Sequence, residues 1–370
     1  MNRREFLKAI TLMPPASYGM RVLLSGQTCN RKRAQANSTE KSGLPGVSKD
    51  SLCHCSAGPQ EYEVKSSSLS QTVASRAFEW IIANLSRFDP FSWKPVLGEQ
   101  SQTALAELAL MCFLLSRHND PNKDLRLAKC LDVLEHAYKQ PPFHEYIFRI
   151  DKRAFSGHLL IWLSLAGRKS EAVVSHDRLQ QFIDEYGVAC TERIPYRLLE
   201  LRYLLDKGGF VHNLPPEEDI FRQTTLACNF NIVTIAPYDL YSITHSIFYL
   251  SDFGAIVPAA LEFQEKTRIL EPIRSLIGIS VCSGNWDLVS ELILSYRCLT
   301  NDAEYWIDLG WKALERIQDK SGFIPGLAFS FEKHKELPSE TEREQYLFIR
   351  NYHATLMTCL AGFLGKGSRV

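Results

Sequence analysis

The sequence predicts an all-α protein, and within that class a closed (α/α)6 toroid of six helical hairpins. From about residue 71 onward, apolar residues recur at intervals of three and four, whereas the period-2 pattern of strands is scarce. The helical stretches are of two kinds, one amphipathic and one apolar nearly all round. Six stretches of each kind alternate strictly along the chain, which favours six outer and six inner helices.

The amphipathic stretches are predicted to form the outer layer because each has a polar face that belongs in water. They are 73–86, 123–138, 174–187, 216–227, about 257–271 and 302–318. The other stretches are predicted to be parallel inner helices, since a helix that is apolar on every side must be surrounded by other helices. They are 102–117, 156–166, 194–206, 240–252, 286–299 and 350–364.

Three regions are predicted along the chain: a signal segment (1–27), a linker rich in Ser, Lys and Gly that we expect to be disordered (28–70), and a single toroid domain (71–370). The order of residues from Asn2 to Lys8 resembles the twin-arginine export signal, with an arginine pair followed by Phe6, Leu7 and Lys8. This predicts an exported or periplasmic protein. The alternative is a basic N-terminus on a cytoplasmic protein.

The composition argues against two classes of partner. Forty-two basic residues balance forty-two acidic ones, so no overall positive field attracts nucleic acid. Outside the N-terminal segment, no run approaches the roughly 20 apolar residues that span a bilayer. We therefore expect no nucleic-acid partner and no transmembrane span in the folded domain.

Glutamate and histidine alternate in the predicted inner helices, one to each helix. In chain order they are Glu107, His158, Glu200, His245, Glu291 and His353. A carboxylate buried among apolar residues requires a charged or hydrogen-bonded partner, and a His on the neighbouring helix supplies one. All six lie in the first two predicted helical turns, so parallel inner helices would bring them to one end of the toroid as a ring.

The richest stretch of the ring is 238–253, which combines hydroxyls, acids and aromatic rings with His245. His245 and Asp252 are seven residues apart and are predicted to share a helix face. Together with Glu200, they are the first candidates for acid–base catalysis. The remaining ring members and two aromatic residues are predicted to bind substrate. These are Glu107, His158, Glu291, His353, Tyr241 and Tyr249.

Three interpretations of the ring remain open from the sequence. Imidazole and carboxylate ligands suit zinc, iron or manganese. Without a metal, a Glu and a His act as general acid and base on a carbohydrate or other small substrate. Without catalysis, the groups pair structurally, and a binding or scaffold protein uses the same cavity for a peptide or partner. The sequence names no cofactor.

Three segments, Ser242 to Gly254, Phe78 to Pro90 and Trp286 to Leu299, resemble an uncharacterised bacterial family with a THxxFYLxDFG-like segment. The resemblance covers most of residues 72–364 and implies a helical domain without an assigned activity or catalytic residues. More distantly, the hairpins and the turn from Gln318 to Gly326 look like terpene-cyclase and lanthionine-synthetase toroids. The Asp-rich motif of the cyclases and the Cys-His pair of the synthetases are both missing.

Overall fold

The computed structural model describes residues 59–92, 98–119, 121, 123–140, 155–166, 168, 174–258, 261, 263–302 and 304–364. The predicted signal segment and the predicted linker up to residue 58 lie outside the described residues. Residues 59–70, the end of that linker, belong to a helix. The chain divides into two compact units, 1–62 and 63–370, and every contact given below lies within the second.

The regular structure of the described residues is helical, without a strand, which confirms the all-α class. The thirteen α-helices of the described residues are α1 (Pro59–Ala83), α2 (Gly98–Leu115), α3 (Leu125–Tyr138), α4 (Phe155–Leu165), α5 (His176–Tyr186), α6 (Pro195–Gly208), α7 (Glu217–Phe221), α8 (Pro237–Leu250), α9 (Phe263–Ser283), α10 (Trp286–Leu299), α11 (Tyr305–Ile317), α12 (Phe331–Glu336) and α13 (Glu340–Leu364). None of these thirteen helices is long and apolar enough to cross a membrane.

The two kinds of helix differ in burial as their sequences predict. Helix α10 buries every residue except Trp286 and Arg297. Helix α11 buries only four positions, spaced by three, one and three residues, on the single face that its amphipathic pattern provides. Those positions are Ile307, Gly310, Trp311 and Leu314. The all-apolar helices are thus enclosed by neighbours, and the amphipathic ones keep a face in water.

The six all-apolar helices contact one another in a closed cycle. Helix α2 packs on α4, α4 on α6, α6 on α8, α8 on α10, α10 on α13, and α13 returns to α2. Amphipathic helices pack against members of this cycle: α3 against α2 and α4, α7 against α6, and α9 and α11 against α10. This cycle places side chains from α2, α8, α10 and α13 where they can meet.

Helices α9 and α13, like α1, extend well beyond their predicted bounds. Helix α9 continues through Pro272 to Ser283, although a Pro inside a helix removes one backbone hydrogen bond and favours an earlier end. Helix α13 begins at Glu340, ten residues before the predicted start, because its first turns are polar and exposed and lack the apolar pattern of the rest.

The segment before α12 packs closely along α13. The backbone N–H of Ile324 donates to Thr355 Oγ1 over 3.0 Å, and the N–H of Gly326 donates to Asn351 Oδ1 over 2.9 Å. A Cβ at Gly326 would lie 1.9 Å from the carbonyl oxygen of Arg350, so only glycine allows this approach. These contacts hold the middle of α13 against the segment that precedes α12.

Candidate functional site

Ionisable and hydroxyl side chains from four helices of the cycle meet in one group, called here the carboxylate–histidine cluster. Its members are Glu107 on α2, Tyr241, Thr244 and His245 on α8, Asp287 and Glu291 on α10, and His353 on α13. Asp287 and Glu291 share one face of α10 because residues four apart on a helix are neighbours. The Asn285 side chain accepts from the N–H of Leu288 and caps this helix at its start.

His353 lies at the centre of the cluster, with carboxylates at both ring nitrogens. Its Nδ1 is 2.6 Å from Glu107 Oε2, and its Nε2 is 3.0 Å from Asp287 Oδ1 and 3.4 Å from Glu291 Oε1. Burial by itself would lower the pKa of His353, but the negative charges of Asp287 and Glu107 outweigh it and raise the pKa well above its ordinary value. Three carboxylates therefore surround one imidazole.

The second oxygen of each α10 carboxylate is held by a hydroxyl from α8. The Tyr241 hydroxyl donates to Asp287 Oδ2 over 3.0 Å, and the Thr244 hydroxyl donates to Glu291 Oε2 over 2.6 Å. Burial opposes ionisation of Asp287, but the positive charge of His353 prevails and lowers its pKa. Each carboxylate is therefore oriented with one oxygen on α8 and the other toward His353.

His245 borders the cluster in one defined tautomer. Its Nδ1 lies 2.9 Å from the carbonyl oxygen of Tyr241, which only accepts, so Nδ1 carries the proton and Nε2 is the basic nitrogen of the neutral ring. Burial lowers the pKa of His245, while Glu291, 3.8 Å away, opposes this shift. The ring centroids of Tyr196 and Tyr249 lie 5.5 and 6.2 Å from that of His245.

The cluster is open to solvent on one side. The side chains of Glu107 and His353 are each 20% exposed and that of His245 is 13% exposed, whereas Glu291 is fully buried. The group is thus partly exposed at Glu107, His353 and His245 and closed to solvent at Glu291.

Glu200 and His158, two other members of the predicted ring, have different surroundings. Glu200 accepts from Arg197 over 2.9 Å and lies close enough to His245 to oppose the lowering of its pKa. His158 is buried against α3, with its Nε2 3.3 Å from the Tyr138 hydroxyl and its ring stacked on that of Tyr138. Glu200 thus borders the cluster, whereas His158 faces the amphipathic helix α3.

Asp252 joins a separate group of side chains. Helix α8 ends at Leu250, two residues earlier than predicted, and Asp252 has a φ of 49°, so the expected shared helix face with His245 does not extend to it. Its carboxylate accepts from Arg117 (2.6 Å), Tyr203 (2.7 Å) and Lys207 (2.5 Å). Burial would raise its pKa, but these donors and the cations lower it.

Sequence reasoning missed two members of the cluster, Asp287 and Thr244. Asp287 stands four residues before Glu291, and that spacing was a signal that both carboxylates share a face of α10. Thr244 carries no comparable signal, because a Thr in an apolar helix more often bonds its own backbone. Of the predicted substrate-binding residues, Glu107, Glu291, His353 and Tyr241 lie in the cluster, and Tyr249 packs beside His245.

The fold and the cluster define an all-helical domain with a buried, partly accessible carboxylate–histidine site. A family model described as a domain of unknown function, DUF6895, matches residues 74–363, and the chain belongs to this family. The predicted resemblance to an uncharacterised helical family is thereby confirmed. No curated protein and no solved structure matches this chain. The likeness to terpene-cyclase and lanthionine-synthetase toroids stays a prediction.

Proposed function

We propose that the carboxylate–histidine cluster is the active site of an enzyme that uses acid–base chemistry on a small hydroxylated substrate, such as a carbohydrate. His245 is the proton acceptor in this proposal, and Glu200 is a positioning residue beside it. The observation that carries the proposal is the fixed tautomer of His245, since a general base needs a free basic nitrogen held in place.

The surroundings of His245 support a hydroxylated substrate. Carboxylates accept hydrogen bonds from hydroxyl groups, and Glu107 is partly exposed beside the ring. The rings of Tyr196 and Tyr249 add apolar surface against which one face of a sugar can lie. Binding sites for small molecules commonly combine such aromatic walls with a few placed polar groups.

The proposal includes the (α/α)6 arrangement and a central cavity. The closed cycle of contacts among the six all-apolar helices supports it, as does the strict alternation with amphipathic helices. In this arrangement the cluster lies on the inner side of the cycle. Export by the twin-arginine-type segment is also part of the proposal, and its test is whether changing Arg3 and Arg4 to Lys alters the compartment of the protein.

The decisive experiment compares wild type with His245→Asn on a panel of p-nitrophenyl glycosides of hexoses, pentoses and uronic acids. Asparagine keeps an N–H for the Tyr241 carbonyl and removes the basic nitrogen. We expect release of p-nitrophenol from at least one member by wild type, and a loss in kcat of about 10²- to 10⁴-fold in the variant. The control is His136→Gln, because the His136 side chain is 64% exposed on α3.

Binding of the same glycosides, measured by saturation-transfer NMR, separates catalysis from recognition. A protein that binds a glycoside without turning it over is a binding protein, and the catalytic proposal is then wrong. Turnover that His245→Asn leaves unchanged refutes the role of His245. A panel that is neither bound nor hydrolysed refutes the substrate class.

A further inference from the structure

We propose that Asp287, Glu291 and His353 bind one divalent transition-metal cation. Each offers one ligand atom, and the three atoms lie within 4.8 Å of one another. The proposal deepens the proposed function by adding a metal to the same site. Only the role of the metal in catalysis rests on the proposed function, because metal binding itself is measurable without a substrate.

The separations of the donor atoms match a common metal centre. Ligand atoms about 2.1 Å from a metal lie about 3.0 Å apart at a right angle and about 3.4 Å apart at the tetrahedral angle. His353 Nε2 lies 3.0 Å from Asp287 Oδ1 and 3.4 Å from Glu291 Oε1. These two separations fit ligands of one ion, and all three donor atoms lie within 4.8 Å of one another.

The two carboxylate oxygens that face His353 point independently to a ligand. Asp287 is 9% exposed and Glu291 is fully buried. Their Oδ1 and Oε1 atoms form ion pairs with His353 Nε2 at 3.0 and 3.4 Å, but within the described residues neither accepts an aligned hydrogen bond. In the metal-free chain the His353 imidazolium faces both oxygens. A metal ion would take that place, and Nε2 of His353 would lose its proton as it becomes a ligand.

Every proposed ligand is also oriented by a second residue. Nδ1 of His353 lies 2.6 Å from Glu107 Oε2, the carboxylate–histidine pairing that fixes a metal-binding imidazole with Nε2 toward the ion. The Tyr241 and Thr244 hydroxyls hold the remaining oxygens of Asp287 and Glu291. Each of the three ligands thus has one supporting group behind it, as ligands in metal sites commonly do.

The donor set selects the class of metal. Two carboxylate oxygens and one imidazole nitrogen suit Mn²⁺, Fe²⁺ or Zn²⁺ better than soft ions that prefer thiolates. Three protein ligands leave positions for water or substrate, as catalytic sites require. Partial exposure of His353 gives these positions access to solvent.

The test uses the full chain purified without affinity metal and then freed of metal with a chelator that is dialysed away. Mn²⁺ is added, and free ion is followed by its electron paramagnetic resonance signal, while Zn²⁺ is titrated by calorimetry. We expect one Mn²⁺ or Zn²⁺ per chain in wild type. We expect Asp287→Asn and Glu291→Gln to lose at least 10-fold in affinity, and Glu107→Gln to lose about 10- to 100-fold as an outer-shell change.

Asp252→Asn is the matched control, because it removes a buried carboxylate outside the cluster and should keep the stoichiometry. Wild type that leaves all Mn²⁺ and Zn²⁺ free overturns the metal site, as does equal loss of binding in Asp252→Asn. Circular dichroism identifies variants that fail to fold. Folded Asp287→Asn and Glu291→Gln variants that bind the ion as tightly as wild type also overturn this site. Turnover that persists in chelator refutes a catalytic metal while leaving His245 as the base. Stoichiometric metal without turnover retains the site and rejects the proposed function.

Discussion

The hydrogen bond between Thr244 and Glu291 gives the sharpest test of the cluster as a set of buried, ionised groups. Thr244→Val keeps the shape and the β-branch but removes the donor that holds Glu291 Oε2 at 2.6 Å. Both residues are fully buried, so water does not replace the lost bond. A hydrogen bond to a charged acceptor contributes about 1.5–3 kcal/mol, and we expect the free energy of unfolding to fall by that amount.

Thr358→Val is the control. Thr358 is equally buried and bonds Ser290, a neutral partner, over 2.7 Å, for which the expected loss is about 0.5–1.5 kcal/mol. Urea unfolding of metal-free protein at pH 7, followed by circular dichroism, measures both losses. In a Glu291→Gln background, the cost of Thr244→Val should fall to the neutral range. Equal costs for the two Thr variants, or a Thr244→Val cost below about 0.5 kcal/mol, would refute a charged Glu291 that depends on Thr244.

Three other predictions concern the scaffold. The pKa of Asp252 is lower in the folded chain than in the unfolded one, so its contribution to stability is present above about pH 4 and is lost as pH falls through the folded-state pKa. The difference in free energy of unfolding between wild type and Asp252→Asn should accordingly be constant from pH 7 to about pH 5 and become smaller below that. A difference that grows in acid would contradict an ionised Asp252 held by cations. Gly326→Ala should destabilise the chain by about 1–3 kcal/mol in urea because its Cβ meets a backbone carbonyl at 1.9 Å. Gly209 has open space around it and a φ of 70°, so Gly209→Ala should lower the free energy of unfolding by only about 1–2 kcal/mol, the cost of a left-handed backbone. A larger loss for Gly209→Ala than for Gly326→Ala would contradict this prediction. Thiol labelling read by mass spectrometry should divide the described cysteines by burial, with slow reaction of the buried set until urea is added. The buried set is Cys112, Cys130, Cys298 and Cys359, and the exposed set is Cys190, Cys228 and Cys282.

Hydrophobic periodicity was sufficient to predict the all-α class and the two kinds of helix. The all-apolar stretch 286–299 coincides with α10, because burial on every side leaves little choice of structure. Helix ends were harder to predict where polar residues continue a helix in water. Residues 59–70 and the first turns of α13 have no apolar pattern, yet both are helical. At Pro272 the rule that Pro ends a helix was wrong, since the helix continues past it with Ile273, Leu276 and Ile277 buried.

The candidate site was predictable only in part. The alternation of Glu and His identified Glu107, His245, Glu291 and His353, because a buried charge in an apolar helix requires a partner from another helix. The sequence does not specify which neighbour that partner is. His158 contacts Tyr138 of the amphipathic helix α3, a pairing that depends on the rotation of α4 about its own axis. Rotation of a helix that is apolar all round cannot be derived from its pattern of hydrophobic residues.

The pairing of Glu107 with His353 joins residues 246 positions apart, and this separation bears on how the protein is made. A chain is synthesised from its N-terminus, so Glu107, Asp287 and Glu291 leave the ribosome before His353. Until α13 emerges, the acidic groups have no imidazole between them, and the cycle of helices is open. The cluster is therefore completed only once α13 has emerged, and a chain cut short before His353 lacks the one residue that all three carboxylates share.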